Sequence, residues 1–217
     1  MKMKDIKIWL MYSNTLAKIT SFYRRYIEPR RDKFGYFSDT ARVRYPIRIK
    51  GIENVFMYEH SHILAGATII ATKAKFIMKK YSGAAEGLTV VTGNHFSTLG
   101  EWRLTRAGAG ADEQIAKDVI VEEDVWLAAN VTLLAGVRVG RGSTVGAGSV
   151  CIKNVPPYAI VMGNPAKVIG YNFSPEEIIE HEKKLYREEE RLPLELLERN
   201  YNKYFLDRSV EIKNFLK

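Results

Sequence analysis

The chain has 217 residues, 46% of them hydrophobic, and a formal net charge of +8, enough for one sizeable soluble domain with short appendages. No apolar run approaches the ~20 residues needed to span a bilayer, and the short Ile6–Met11 stretch, flanked or broken by Asp5 and Lys7 and followed by no small-residue cleavage site, does not read as a secretion signal. The single cysteine, Cys151, excludes an internal disulfide and suits a reducing, cytoplasmic setting.

The positive charge is spread over Lys2–Lys7, Arg24–Arg31, Arg42–Lys50 and Lys73–Lys80, without a compact nucleic-acid motif. It reads as a solvated surface or, more sharply, as a basic collar for a polyanionic cofactor or an anionic lipid. At the N-terminus, residues 1–41, Ile6, Trp9, Leu10, Leu16, Ile19, Phe22, Tyr23, Tyr26 and Ile27 recur at helical spacing over residues 5–27. They predict an amphipathic helix packed on the domain or on a neighbouring subunit, with peripheral membrane association as the alternative.

From residue 42 to residue 171 the spacing predicts a parallel β-helix. Its upstream part is irregular, marked by Ile47, Ile49, Val55, Met57, Ile63, Ile69, Ile77 and Val90. Residues 93–118 break the pattern and read as a glycine-rich functional loop. From Val121 a six-residue period takes over: VEEDVW, LAANVT, LLAGVR, VGRGST, VGAGSV, CIKNVP. Its first places, Val121, Leu127, Leu133, Val139, Val145 and Cys151, are predicted to point inward and stack coil on coil. Its fifth places, Val125, Val131, Val137, Ser143, Ser149 and Val155, are slim enough for corners. Gly136, Gly140, Gly142, Gly146 and Gly148 fall where the chain bends and a β-carbon would crowd it. Cys151 therefore reads as core rather than as a reactive thiol. The C-terminal extension, residues 172–217, opens on Ser174-Pro175-Glu176-Glu177, a capping box with proline in the first turn, and Pro193 interrupts that helix and opens another. These helices are placed to cover the edge of the last coil.

Two segments carry a family resemblance. VGAGSVCIKNVPPYAIVMGNPAKV is one; the other is Thr92-Gly93-Asn94-His95-Phe96 followed, after the loop, by Val125-Trp126-Leu127-Ala128-Ala129-Asn130. Together they resemble the hexapeptide-repeat acyltransferases with a left-handed β-helix, most of all the xenobiotic, maltose and polysaccharide O-acetyltransferases. The similarity covers about residues 45–171 and leaves out both termini. It implies an all-β-dominated, left-handed parallel β-helix, a homotrimer with active sites between neighbouring subunits, acetyl-CoA as donor, no metal, and His95 as general base. By the same resemblance Ala129, Ala147, Ile152 and Lys153 match cofactor-contacting positions, with Lys153 and Lys167 suited to the phosphates. Asn94, Trp102 and Arg103 are the candidate acceptor-binding residues. The common Ile-Gly after the tryptophan is here Leu127-Ala128, and Trp102, Arg103 and Arg106 have no assigned counterpart.

The chemistry has its own need for these groups. A hydroxyl must lose its proton as it attacks a thioester carbonyl, and an imidazole with an ordinary pKa of about 6.5 can take it. A donor such as a backbone N–H must meet the developing oxyanion, and something must hold the other imidazole nitrogen, for which Glu101 is a candidate. The leading expectation is acetyl transfer to a carbohydrate hydroxyl, with antibiotic acetylation and amino-sugar N-acetylation as variants. Two other classes are a carbonic-anhydrase-like metal site built from His60, His62 and His95, and a non-catalytic β-helix scaffold.

Overall fold

The structure is a computed structural model describing residues 31–95, 97, 99, 100, 102 and 115–216, with Ile19 and Phe22. The helix expected over 5–27 otherwise lies outside the described residues; Ile19 and Phe22 are helical and exposed.

The chain winds five times around a three-sided prism. The first coil holds β1 (Tyr36–Phe37), β2 (Arg42–Val43) and β3 (Arg48–Lys50); the second holds β4 (Val55–Met57), β5 (His62–Ile63) and β6 (Thr68–Ile70). The third holds β7 (Phe76–Met78), β8 (Gly83–Ala84) and β9 (Thr89–Val91). The fourth holds β10 (Val119–Val121), β11 (Trp126–Leu127) and β12 (Thr132–Leu133), and the fifth β13 (Arg138–Val139), β14 (Thr144–Val145) and β15 (Val150–Cys151). Strands three apart pair in parallel, giving three flat faces, β1-β4-β7-β10-β13, β2-β5-β8-β11-β14 and β3-β6-β9-β12-β15. This is the parallel β-helix expected from the hexads, with the left-handed coiling that the family resemblance implies. Its first coil begins at Tyr36, upstream of the start expected near residue 42. β16 (Ala159–Met162) extends the second face, and β17 (Lys167–Tyr171) closes it by turning back antiparallel.

The hexad register holds residue by residue. All six first places are at most 1% exposed, and Leu133, for example, sits in register between Val90 and Cys151. Each such side chain buried contributes about 1.5–3 kcal/mol. The fifth places are buried at the corners. Ser143 donates to the Pro156 carbonyl at 2.8 Å and Ser149 accepts from the Gly163 N–H at 3.1 Å, so their hydroxyls carry no desolvation penalty. Gly142 turns at φ +65°, and a β-carbon there would sit 2.4 Å from the Tyr158 ring.

The upstream irregularity has a simple cause. Leu127 and Val145 are register partners 18 residues apart, which is three hexads. Met57 and Met78 are partners 21 residues apart, so the corners of the earlier coils carry extra residues that break the six-residue phase. In the third coil Phe76 and Met78 point inward, and Ile77, one of the aliphatics marking the upstream pattern, points outward.

Three helices follow: α1 (Pro175–Leu185), α2 (Leu194–Tyr204) and α3 (Ser209–Phe215). The capping box is formed, with the Ser174 hydroxyl accepting from the Glu177 N–H and the Glu177 carboxylate accepting from the Ser174 N–H. Pro193 is the N-cap of α2. Ile178 and Leu197 pack on Tyr158 at the end of the prism. Glu182, fully buried on α1, accepts from Arg141 Nη1 at 3.2 Å, the Tyr158 hydroxyl at 3.0 Å and the Leu192 N–H at 2.6 Å, fastening the helices to the fifth coil.

Candidate active site

The chain leaves the prism after β9 and returns at β10. Thr92 is the anchor of departure. It is buried, its N–H donates to the Ile70 carbonyl at 3.0 Å and its hydroxyl to the Ala74 carbonyl at 3.1 Å. Its own carbonyl accepts from the Lys117 N–H at 2.9 Å, which closes the neck of the loop. Asn94 and His95 follow immediately and are exposed. The Asn94 side-chain oxygen accepts from the His95 N–H at 2.8 Å, so the asparagine fixes the backbone that carries the imidazole.

A cleft of about 670 Å³ opens beside this neck. Val91, Ile115, Leu134, Ala135 and Ile152 form its apolar wall, and Gly93, Asn94 and Lys117 complete it. The corner after the third face is thereby stacked through three coils, and the Leu134 N–H donates to the Cys151 carbonyl at 3.1 Å between two of them. Two residues singled out in the sequence, Asn94 and Ile152, therefore meet in one cleft, with exposed Lys153 next along the chain.

Others sit elsewhere. Ala129 and Ala147 stack on the corner after the second face, where the Gly148 N–H donates to the Ala129 carbonyl at 2.9 Å. One flat face of the prism separates them from Ile152 and Lys153. Lys167 pairs with Glu211 of α3 at 3.2 Å. Hydrogen bonds from Arg208 and then Lys167 hold the Glu211 carboxyl down at about 2. Trp102 is exposed, and Arg103, Arg106 and Glu101 lie outside the described residues. Burial pushes the Cys151 thiol up to about 11, and it is 1% exposed, as a core residue would be.

The remaining histidines are dispersed within one chain. His60 stacks on Tyr81 with ring centroids 4.9 Å apart, and His62 lies across Gly83 from Trp126, on the second face. His181 sits against Phe173 and Tyr158, 3.9 Å from Asp124. Among the described residues no three His, Cys, Asp or Glu side chains are grouped to hold a metal ion, and no helix is long and apolar enough to cross a membrane.

Sequence reasoning missed Lys117 and Leu134 as cleft residues. Lys117 falls in a stretch without hexads, and its relation to Thr92 is a backbone contact across 25 residues of sequence. Leu134 follows a first-place leucine, and the alternation that turns it outward is legible only once the register is fixed.

Residues 118–153 match the family described as bacterial transferase hexapeptide, six repeats. The chain carries a bacterial transferase hexapeptide repeat. Its prism is also found in solved structures at low sequence identity. A hexapeptide-repeat acetyltransferase of Vibrio cholerae O1 biovar eltor, complexed with acetyl-CoA, has a TM-score of 0.59 at 21% identity, over 74% of this chain and 90% of that one. A maltose O-acetyltransferase from Clostridium difficile 630 has 0.57 at 20%, over 76% and 88%. A galactoside acetyltransferase in complex with coenzyme A has 0.54 at 15%, over 85% and 90%. These likenesses are of fold. No curated protein sequence matches the chain.

Proposed function

We propose that this hexapeptide-repeat protein is an acetyl-CoA-dependent acyltransferase that acetylates a carbohydrate hydroxyl. The observation that carries the reading is the loop neck: beside the Thr92–Lys117 closure, Asn94 lines a cleft walled by hexad-corner residues, and His95 is the next residue of the chain. The solved relatives named above, acetyltransferases with acetyl-CoA or coenzyme A bound among them, support it.

In this reading one nitrogen of His95 takes the acceptor's proton while the acceptor oxygen attacks the thioester carbonyl carbon. The C–S bond then breaks, and the imidazolium returns the proton to the departing thiolate. The apolar wall of Leu134 and Ile152 suits the pantetheine arm, and Lys153 suits its phosphates as a mobile point charge. Ala129 and Ala147 occupy a different corner from Ile152 and Lys153, so one ligand reaches both sets if corners of two chains face each other. That supports a site shared between neighbouring subunits, as the homotrimer of the resemblance would provide. Lys167 is the weaker phosphate candidate because Glu211 already neutralises it. Trp102 and Arg103 remain candidate acceptor contacts, and acetyl-CoA use fits a cytoplasmic enzyme.

The test is thioester cleavage measured across a panel of sugars, with His95→Gln alongside. The variant is expected to lose acetyl transfer by about 100-fold or more while binding acetyl-CoA as the parent does. Undiminished turnover removes His95 as base, and absence of acetyl-CoA binding by the parent removes the enzyme class.

A further inference from the structure

We propose that Lys117 makes this cleft selective for an acceptor that carries an anionic group, a carboxylate or phosphate on a sugar. The proposal rests on the acyltransferase reading for what happens to that acceptor, but not for its binding.

Three features converge on Lys117. Its N–H is bound to the Thr92 carbonyl, so it stands across the loop neck from Gly93, Asn94 and His95. Its side-chain stem lies over the bare backbone of Gly136, where a β-carbon would come within 3.1 Å of Lys117 Cδ and 3.4 Å of its Cβ. Gly136, at φ +84°, thus supplies both the hexad turn and the room for the stem. Finally, Lys117 is the one charged residue among the described residues lining the cleft.

Like Lys153, Lys117 forms no ion pair among the described residues, whereas Lys79 is bound to Glu122 and Glu123, Lys167 to Glu211 and Lys183 to Glu180. The adjacent Asp118 does not serve it through this contact, since its carboxylate accepts from the Lys75 N–H at 2.8 Å. Lys117 is exposed, and among the described residues lining the cleft there is no carboxylate, so its ammonium is open to an anion beside the apolar wall.

Closeness to the neck favours the acceptor as the ligand that bears that anion. Lys117 enters the fourth coil at the neck that carries His95, whereas Lys153 follows the fifth coil and Lys167 opens β17. Strands stack about 4.8 Å apart, so Lys117 lies two coils from Lys153, roughly 10 Å along the prism, and on the side of the neck that carries His95. The charge at Lys117 is therefore left for the acceptor.

The experiment measures direct binding of glucose, glucuronate and glucose 6-phosphate to the full chain at low ionic strength by calorimetry or saturation-transfer NMR. Lys117→Gln and Lys117→Arg are compared with the parent, and thermal melts confirm folding. The parent is expected to hold at least one anionic sugar about 10- to 100-fold more tightly than glucose, as one charge-assisted contact would give. Lys117→Gln should erase that preference, Lys117→Arg should retain it, and acetyl-CoA affinity should change in neither. Preference for glucuronate alone identifies a carboxylate acceptor, and preference for glucose 6-phosphate alone a phosphorylated one. Equal binding of charged and neutral sugars overturns the proposal, as does a Lys117→Gln variant that loses acetyl-CoA affinity instead. Charge preference in a protein that neither binds nor consumes acetyl-CoA would sustain Lys117 and remove the acyltransferase reading.

Discussion

Leu133 and Leu134 are the same side chain at adjacent positions, and the prism gives them opposite work. Leu133 is 0% exposed and stacks between Val90 and Cys151. Leu134 is half-buried and lines the cleft with Asn94 and Ile152. Leu133→Ala leaves a void between coils that are tied by hydrogen bonds above and below and cannot collapse freely, so it is expected to cost about 2–5 kcal/mol. At roughly 2–4 °C per kcal/mol for a chain of this size, the thermal midpoint should fall by about 5–15 °C. Leu134→Ala removes a group already partly in water and should cost under about 1 kcal/mol, with its effect appearing in acetyl-CoA affinity instead. Thermal melts and calorimetric titration of both variants make the comparison. Because a one-residue slip exchanges inside for outside, a Leu134→Ala variant less stable than Leu133→Ala would refute the register and everything placed by it.

Iodoacetamide at pH 8 should leave Cys151 unmodified in the native protein and modify it promptly in denaturant, read by intact mass. The folded thiol, raised from 9.0 to about 11 by burial, holds its proton where the unfolded thiol loses it. Its contribution to stability is therefore intact below about pH 9 and is lost as pH climbs from there toward 11. Rapid native alkylation at pH 8 would contradict the buried first-place assignment. Glu182→Ala should destabilise the attachment of the helices by about 1–3 kcal/mol, because it leaves the Tyr158 hydroxyl and the Leu192 N–H without an acceptor, while Arg141 keeps Glu123 and the Glu190 carbonyl. Limited proteolysis should then cleave within residues 172–217 well before the prism, and protection equal to the parent's would argue against Glu182 as the fastening point.

The residues that announced the fold are those whose role is set by local phase alone. In the fourth and fifth coils, an 18-residue turn keeps every first place on the same inner edge, so Val121 to Cys151 could be assigned from spacing. In the earlier coils the corners carry extra residues and the phase slips, so that Ile77, which marked the pattern, faces outward while Phe76 and Met78 are the inward pair. The capping box at Ser174 was legible because a cap is a contact between residues three apart. The buried Glu182 was not, because its partners Arg141 and Tyr158 lie 41 and 24 residues away.

The candidate site divides along the same line. The motif around Asn94 and His95 and the run ending at Lys167 could be named from the chain, but not whether their side chains meet. Folding brought Asn94 to Ile152, tied Lys167 to Glu211, and set Ala129 and Ala147 on another corner. What sequence alone determined is the prism, because a six-residue period repeats one short-range rule of inward and corner packing. What only the tertiary structure decided is the cleft, because Lys117 reaches the His95 neck through a single backbone hydrogen bond between coils and a glycine 19 residues further on. Contacts of that kind obey no spacing rule and exist only after the coils have stacked.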